Sequence, residues 1–417
     1  MHYELKKKGY ALLKWSEKYF KTDMIYVARG GFWLFFGQIA TFGTSFVLTW
    51  AFANFATKEV FGAYKYILSL TAILAVPVLS GMNTALLRAV ASGKEGVLIP
   101  VLKTKLKWGL LSIVGSFGLA IYYFLQGNKE LALGLAIAAL FIPLVNSFSL
   151  WEQFLSGKKE FKRQNIYKAI VNLANMAVLM LPILLKSNLF VILSTYFISW
   201  TFLHALFFIL TYKKYRPKQE YDAKTMRFGK HLSLMGVIGM VDSQLDKILL
   251  WHFLGADQVA VFSIALVLPA TLGGVLKIIN GLAMPKLSEA KIADLKRTIP
   301  KKTFYLFILV LPIVVGYILF APLLFKIFFP KYIEAVIYTQ VAALTLLFFP
   351  RALFGTALTA KAQTKALYMN TIILSPLYIV SLLLLVPAFG IMGAVLAILA
   401  LEIGTFILQA IYFKKMK

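Results

Sequence analysis

The sequence predicts an all-α polytopic membrane protein, with twelve transmembrane helices in two pseudo-symmetric six-helix halves. Three observations predict it. Hydrophobic residues fill 60% of the 417 positions and charged residues 15%, whereas a soluble domain is about 45–50% apolar. The apolar residues gather into runs long enough to cross a bilayer, which takes about 20 residues as helix. Finally, residues 227–289 repeat the layout of residues 29–91 without a gap: Arg227 falls on Arg29, Gly229 on Gly31, Asp257 on Glu59, Phe262 on Tyr64 and Lys286 on Arg88. Four more apolar segments follow each copy, and self-similarity at this scale marks transporters built from two like halves.

In chain order, residues 1–24 come first, as a cytoplasmic interfacial amphipathic segment. Leu12, Trp15 and Tyr19 share one helical face and Lys14, Lys18 and Lys21 the other, the pattern of a helix lying in the membrane surface. Twelve apolar segments follow, at 30–54, 62–87, 106–126, 131–156, 166–186, 189–212, 231–254, 259–284, 303–321, 334–358, 368–387 and 390–412. They divide into an N-terminal six-helix lobe (25–212), a basic cytoplasmic linker (213–230, KKYRPKQEYDAKTMRFGK) and a C-terminal six-helix lobe (231–417). An even number of spans returns both termini to the same side.

The charges give the side. Of 44 Lys and Arg, Lys247, Lys277 and Arg351 lie within late spans, and Lys58, Lys65, Lys129, Lys186, Lys326 and Lys331 fall on one side. All the others fall with the termini. The positive-inside rule therefore predicts a multi-pass protein of the cell (plasma or inner) membrane with both termini in the cytoplasm. The net charge of +27 is read as topology signal, assisted by anionic lipid, and not as a nucleic-acid surface.

Several classes are disfavoured. There is no phosphate-binding GxxxxGK[ST], no GxGxxG after a strand, no HExxH and no CxxC. No cysteine is present, so disulfides and thiolate metal sites are excluded. The four histidines, His2, His204, His231 and His252, lie in separate segments, which is poor metal-ligand spacing. With no soluble domain inserted to hold a catalytic site, no enzymatic activity and no resident cofactor or metal are expected.

The stretches Gly31–Gln38 (GFWLFFGQ), Ala51–Tyr64 (AFANFATKEVFGAY) and Asn83–Arg88 (NTALLR), with Leu245–Phe262 (LDKILLWHFLGADQVAVF) in the second half, resemble the Wzx-type polysaccharide flippases of the multidrug/oligosaccharidyl-lipid/polysaccharide exporter superfamily. Gly157–Lys162 and Ala360–Lys365 occupy matching turns after the fourth and tenth segments. The likeness covers nearly the whole chain and is one of pattern, which sister branches of the superfamily share. It implies two bundles packed in a V around a central cavity lined by helices one, two, seven and eight. It further implies alternating access for a polyprenyl-pyrophosphate-linked oligosaccharide, with other polysaccharide assembly proteins as candidate partners.

Intramembrane charge supplies the candidate residues, because a charge at mid-bilayer costs ~2.5–3.5 kcal/mol on insertion scales and must face protein or water. The pyrophosphate candidates are Arg29, Arg88, Lys277 and Arg351. Against that stand bland readings, Arg29 and Arg88 as topology anchors and Lys277 and Arg351 as snorkelling side chains. The candidates for ion or proton coupling (Na+ or H+) are Asp242, Asp246 and Glu402. Asp242 and Asp246, four apart, share a helical face, whereas Asp246 and Lys247 as neighbours are not expected to meet. The alternative is that a basic residue on another helix, such as Arg351, neutralises each carboxylate. His204 is expected to be an interior hydrogen-bonded histidine, and Glu152 to sit at headgroup level beside Trp151. Pro77 and Pro269, in corresponding helices, are candidate bend points. The competing functions are a multidrug or organic-cation antiporter of the same superfamily, which requires an acidic cavity, and a membrane scaffold subunit of a polysaccharide assembly complex.

Overall fold

The computed structural model describes residues 24–361 and 363–416, all helical or in turns; the amphipathic segment expected at the N-terminus lies outside the described residues. In the first lobe α1 (Met24–Phe55) leads through a two-residue turn to α2 (Lys58–Leu74). Then come α3 (Gly81–Ala91), α4 (Leu98–Leu125), α5 (Lys129–Phe148), α6 (Leu150–Gly157), α7 (Phe161–Leu184) and α8 (Leu189–Tyr215). Residues 216–222 connect to the second lobe, so the linker is shorter than its composition suggested. That lobe holds α9 (Ala223–Leu254), α10 (Ala256–Glu289), α11 (Ile292–Phe328), α12 (Ala335–Ala343), α13 (Ala352–Ala360) and α14 (Thr364–Lys415).

Side-chain caps set several starts: Thr57, Asn128, Asn188 and Asp222 each accept a bond from the amide three residues on, satisfying one of the orphan donors of a first turn. The duplication is visible in the boundaries. α10 begins and ends 198 positions after Lys58 and Ala91, the limits of α2 and α3.

Nine stretches among the described residues are long and apolar enough to cross a membrane, and the pair Lys58–Leu74 and Val76–Ala91, bent by 46°, makes a tenth. Tyr368–Lys415 contributes one more, because Gly390 (φ 58, ψ −134) breaks α14 into two helices in a conformation that only glycine adopts readily. The twelfth is α9, which carries too many polar residues to qualify by hydropathy. The protein is therefore an all-α, twelve-span, two-lobed membrane protein. Large apolar side chains such as Val114, Leu125, Leu319 and Leu384 stand exposed on its flanks, as lipid contact requires.

Within the first lobe α1 packs on α7, α4 on α5, and α8 on both α5 and α7; within the second, α9 and α13 pack on α14, and α10 on α12 and α13. The lobes meet where α2 lies against α10, α3 and α2 against α9, and α1 against α10. The two ends of this seam differ. At the turn end, which carries the α1–α2 and α9–α10 turns, a single buried cluster crosses from Phe52, Phe61 and Tyr64 to Val261, Phe262 and Phe329. At the linker end, among the described residues, the apolar clusters are separate. One surrounds Leu86, Trp151 and Phe154 and takes only Met226 from beyond the linker; the other surrounds Leu295, Phe354 and Phe413.

One local expectation is corrected here. Pro77 does sit at a break, where a 3-10 turn (Val76–Val78) ends in left-handed Leu79 (φ 60). Pro269 does not: it lies within continuous α10, so the helix is interrupted in one half alone. Trp151 is 0% exposed and donates from Nε1 to His204 Nδ1 at 3.2 Å. It is a core residue, and Glu152 beside it is half-buried. His204 is the interior hydrogen-bonded histidine expected.

Candidate functional site

The turn end of the seam is sealed by contacts between lobes. Gly62 on α2 approaches α10 so closely that a Cβ there would lie 1.9 Å from the Ala256 carbonyl oxygen. Tyr66 stacks on Trp251 with ring centroids 4.3 Å apart and planes 9° apart, and the Tyr66 hydroxyl is hydrogen-bonded to that of Tyr123. Asn54 donates to the Phe328 carbonyl at 2.9 Å, Lys331 donates to the Asn54 carbonyl at 2.7 Å, and Lys58 pairs with Glu334. Aromatic stacking and charge-assisted bonds reinforce one another in such a seal.

At the linker end α3 rests on the start of α9. The Gly81 amide donates to Ser233 Oγ at 3.0 Å, and Thr104 Oγ1 lies 3.8 Å from Met226 Sδ. A pocket of about 250 Å³ opens there, lined by Arg88, Lys94, Asp222, Lys224 and Phe228. The Arg88 guanidinium lies over the Phe228 ring at 5.1 Å and has no ion-pair partner among the described residues. Lys94 pairs with Asp222 at 3.2 Å. Bonds from Thr225, and then from Lys94, hold the Asp222 carboxyl below the usual carboxylate range. Three basic side chains and one acid line the pocket, which leaves it net basic.

The second lobe encloses another cavity, about 360 Å³, between α10, the 3-10 stretch Leu344–Arg351 and α14. Its walls are mostly apolar, from Leu266, Pro269, Leu346 and Phe349, and Arg351 and Glu402 line it together. Arg351 donates from Nε to Glu402 Oε2 at 2.8 Å and from a terminal nitrogen at 2.6 Å. This two-pronged pair assigns Arg351 a partner other than the one anticipated, since it neutralises neither Asp242 nor Asp246.

Those two carboxylates are placed differently. Asp246 is 6% exposed, and Lys247 Nζ reaches back to its Oδ1 at 3.1 Å while the Lys247 amide donates to the same atom at 2.7 Å. Adjacency was expected to keep them apart. The four-carbon lysine stem covers the distance that short side chains cannot. Asp242 accepts a bond from Ser375 on α14 and has no cation beside it among the described residues. Of the two acids on that face, Asp242 alone lacks a counter-ion among the described residues.

Arg29 falls within α1 and Lys277 within α10, one turn beyond Gly273 of the second-lobe cavity; their side chains lie outside the described residues. Charge-based reading missed Lys105, which is 1% exposed and donates to Asn83 Oδ1 at 2.6 Å. It looked like a flanking anchor, yet it lies seven residues inside α4. Also missed were the amides of α7: Asn172 bonds Thr41 of α1 at 3.0 Å, and Asn175 accepts from Ser199 of α8 at 2.6 Å. Their spacing along one helix was the available signal.

With this geometry in place, comparisons with known proteins become informative. Residues 27–291 match the family described as polysaccharide biosynthesis protein. A Shigella flexneri protein named as an O-antigen transporter is 23% identical over 309 residues, covering 69% of this chain and 71% of that protein. Among solved structures, a lipid II flippase MurJ in an inward closed conformation superposes with a TM-score of 0.74 at 14% identity, over 93% of this chain and 87% of that one. The outward-facing form of a multidrug resistance MATE family transporter of the MOP superfamily gives 0.61 at 14% identity, over 94% of each chain. At such identities the two structures establish a shared fold.

Proposed function

The chain belongs to the polysaccharide biosynthesis protein family, and from that premise we propose that it is a flippase carrying a polyprenyl-pyrophosphate-linked oligosaccharide from the inner to the outer leaflet by alternating access. At the coarser level it is a membrane transporter of the multidrug/oligosaccharidyl-lipid/polysaccharide type. The observation that carries the finer reading is the asymmetry of the seam: one shared apolar core at the turn end, separate cores and a basic pocket at the linker end. The excess of Lys and Arg toward the linker end makes it the cytoplasmic face by the positive-inside rule.

In this reading the headgroup enters from the cytoplasm and its pyrophosphate meets Arg88, which has no ion pair among the described residues, with Lys94 and Lys224 beside it. Arg29 and Lys277 belong to helices of the same seam and extend the basic path. A guanidinium suits this task because its planar donors match phosphate oxygens two at a time. Arg351, already paired with Glu402, contributes by holding α13 and α14 together unless substrate displaces Glu402. The sugars pass between the lobes while the polyprenyl tail stays in lipid. Opening of the turn-end seal delivers them outward. Asp242 is the residue assigned to a coupling Na+ or H+, since Asp246 already has Lys247 and Glu402 has Arg351.

A multidrug or organic-cation antiporter is the competing assignment, and the basic pocket at Arg88 opposes it. Depleting the protein tests the proposal. Lipid-linked oligosaccharide should accumulate on the cytoplasmic leaflet, and Arg88→Ala should reproduce part of that accumulation. If the lipid-linked sugars are distributed normally while resistance to cationic drugs falls, the antiporter reading replaces this one.

A further inference from the structure

We propose that a groove at the turn end, formed by Glu59, Gln126, Lys129, Glu130 and Trp251, is a saccharide subsite that receives sugar rings as they leave the cleft between the lobes; it rests on the flippase reading above. The groove has a volume of about 510 Å³, within the range of about 300–1,000 Å³ that holds small ligands. Its walls come from both lobes. Glu59 sits in the first turn of α2, Gln126, Lys129 and Glu130 flank the α4–α5 turn, and Trp251 closes the far side from α9.

The chemistry of the walls selects the ligand. Glu59, Gln126, Lys129 and Glu130 are exposed, and none makes a side-chain hydrogen bond or ion pair among the described residues. By contrast Lys58, next to Glu59, is engaged with Glu334. The four offer donors and acceptors with charges of both signs, which suits a polyhydroxylated ligand of little net charge. The polar lining disfavours a lipid tail, and no group of three metal-binding side chains occurs among the described residues. Trp251 adds a flat apolar wall against which the C–H face of a pyranose ring can lie, while its polar edge remains hydrated.

Position supplies the rest. The Trp251 ring that lines the groove is the one stacked on Tyr66 in the seal. Parting the lobes at this end separates the two rings, and Trp251 gains a free face at the moment a sugar emerges. A sugar that fills this face delays re-stacking, so the subsite favours release over return.

The experiment uses the absence of native cysteine. A single Asn128→Cys, at an exposed position that lines the groove, is introduced into the full-length protein in cells that make the polysaccharide, and a membrane-impermeant maleimide labels it from outside. Labelling is compared with that in cells lacking the first sugar-transfer step, which export nothing, and polysaccharide export is measured in parallel. Expected is slower labelling during export, about twofold at half occupancy of the groove. The protection should be kept by Trp251→Phe and lost in Trp251→Ala and in the Glu59→Gln/Glu130→Gln pair. If export is restored but labelling is equally fast with and without the lipid-linked sugar, the subsite is wrong and the flippase reading stands. If the protein restores no export, both fall.

Discussion

Gly62→Ala isolates the seal at the turn end. The added Cβ would lie 1.9 Å from the oxygen and 2.6 Å from the carbon of the Ala256 carbonyl, both backbone atoms that cannot rotate away. Restoring an ordinary contact near 3.4 Å moves α2 and α10 apart by about 1.5 Å, and overpacking of this kind costs about 1–3 kcal/mol. In the proposed cycle the cost falls on the closed form alone, because the contact vanishes if the lobes part. The closed-to-open ratio therefore shifts by about 5–150-fold. The assay is maleimide labelling from outside of a single Val259→Cys, a position 0% exposed in the closed form. Labelling should accelerate by that factor in Gly62→Ala and stay unchanged in Gly118→Ala, where an added Cβ meets nothing within 4 Å. Equal labelling rates in a folded Gly62→Ala protein would refute the idea that this end opens by separating α2 from α10.

Breaking the Arg351–Glu402 pair on one side, by Arg351→Met or Glu402→Gln, should lower thermal stability by about 1–3 kcal/mol, discounted from a fully buried pair because the side chains are 22% and 26% exposed; the double variant should recover part of the loss, and strictly additive effects would show that the pair does not couple. Asp242→Asn should remove the dependence of transport on imposed Na+ or pH gradients while Asp246→Asn chiefly destabilises the protein; gradient dependence that persists in Asp242→Asn assigns coupling elsewhere. Asp222 has its carboxyl held low by Thr225 and Lys94, so its contribution to stability is complete above the ordinary carboxylate value of about 3.9 and fades only as pH falls through its lower folded value. The stability gap between the protein and Asp222→Asn should accordingly be flat near neutrality and close in acid; a gap that closes between pH 6 and 7 would contradict this.

Much of the architecture was legible because lipid imposes it. Each span must satisfy its own backbone, so apolar length and flanking lysines reveal the helices, and the duplication places α2 and α3 a fixed distance before α10. The span expected at 231–254 is present as α9 but is the least apolar of the twelve, and that is informative: a helix carrying Asp242, Ser243, Gln244, Asp246 and Lys247 cannot turn all its faces to hydrocarbon. Pairing of the charges was not legible. Arg351 and Glu402 are distant in sequence, and only the packing of α14 against the 3-10 stretch brings them together. Lys105 was hidden by an assumption, that lysines near a span's edge snorkel, which fails when α3 covers the edge.

The two halves share a pattern and differ where the pattern would have to move. Pro77 and Pro269 remove a helical donor in corresponding helices, but only the first half breaks, because Leu79 takes the left-handed turn that lets α3 swing by 46° onto α9. α10 runs on as one helix through Pro269. The first half thus offers a broken helix and the second a continuous one, across a seam sealed at one end and basic at the other. If the lobes rock, the joint at Val76–Ser80 is where the strain should concentrate, since α2 is held by the turn-end seal and α3 by Ser233. Replacing Leu79 with glycine removes the side-chain penalty of the left-handed turn. That change should loosen the joint and alter transport rate without altering the seal itself.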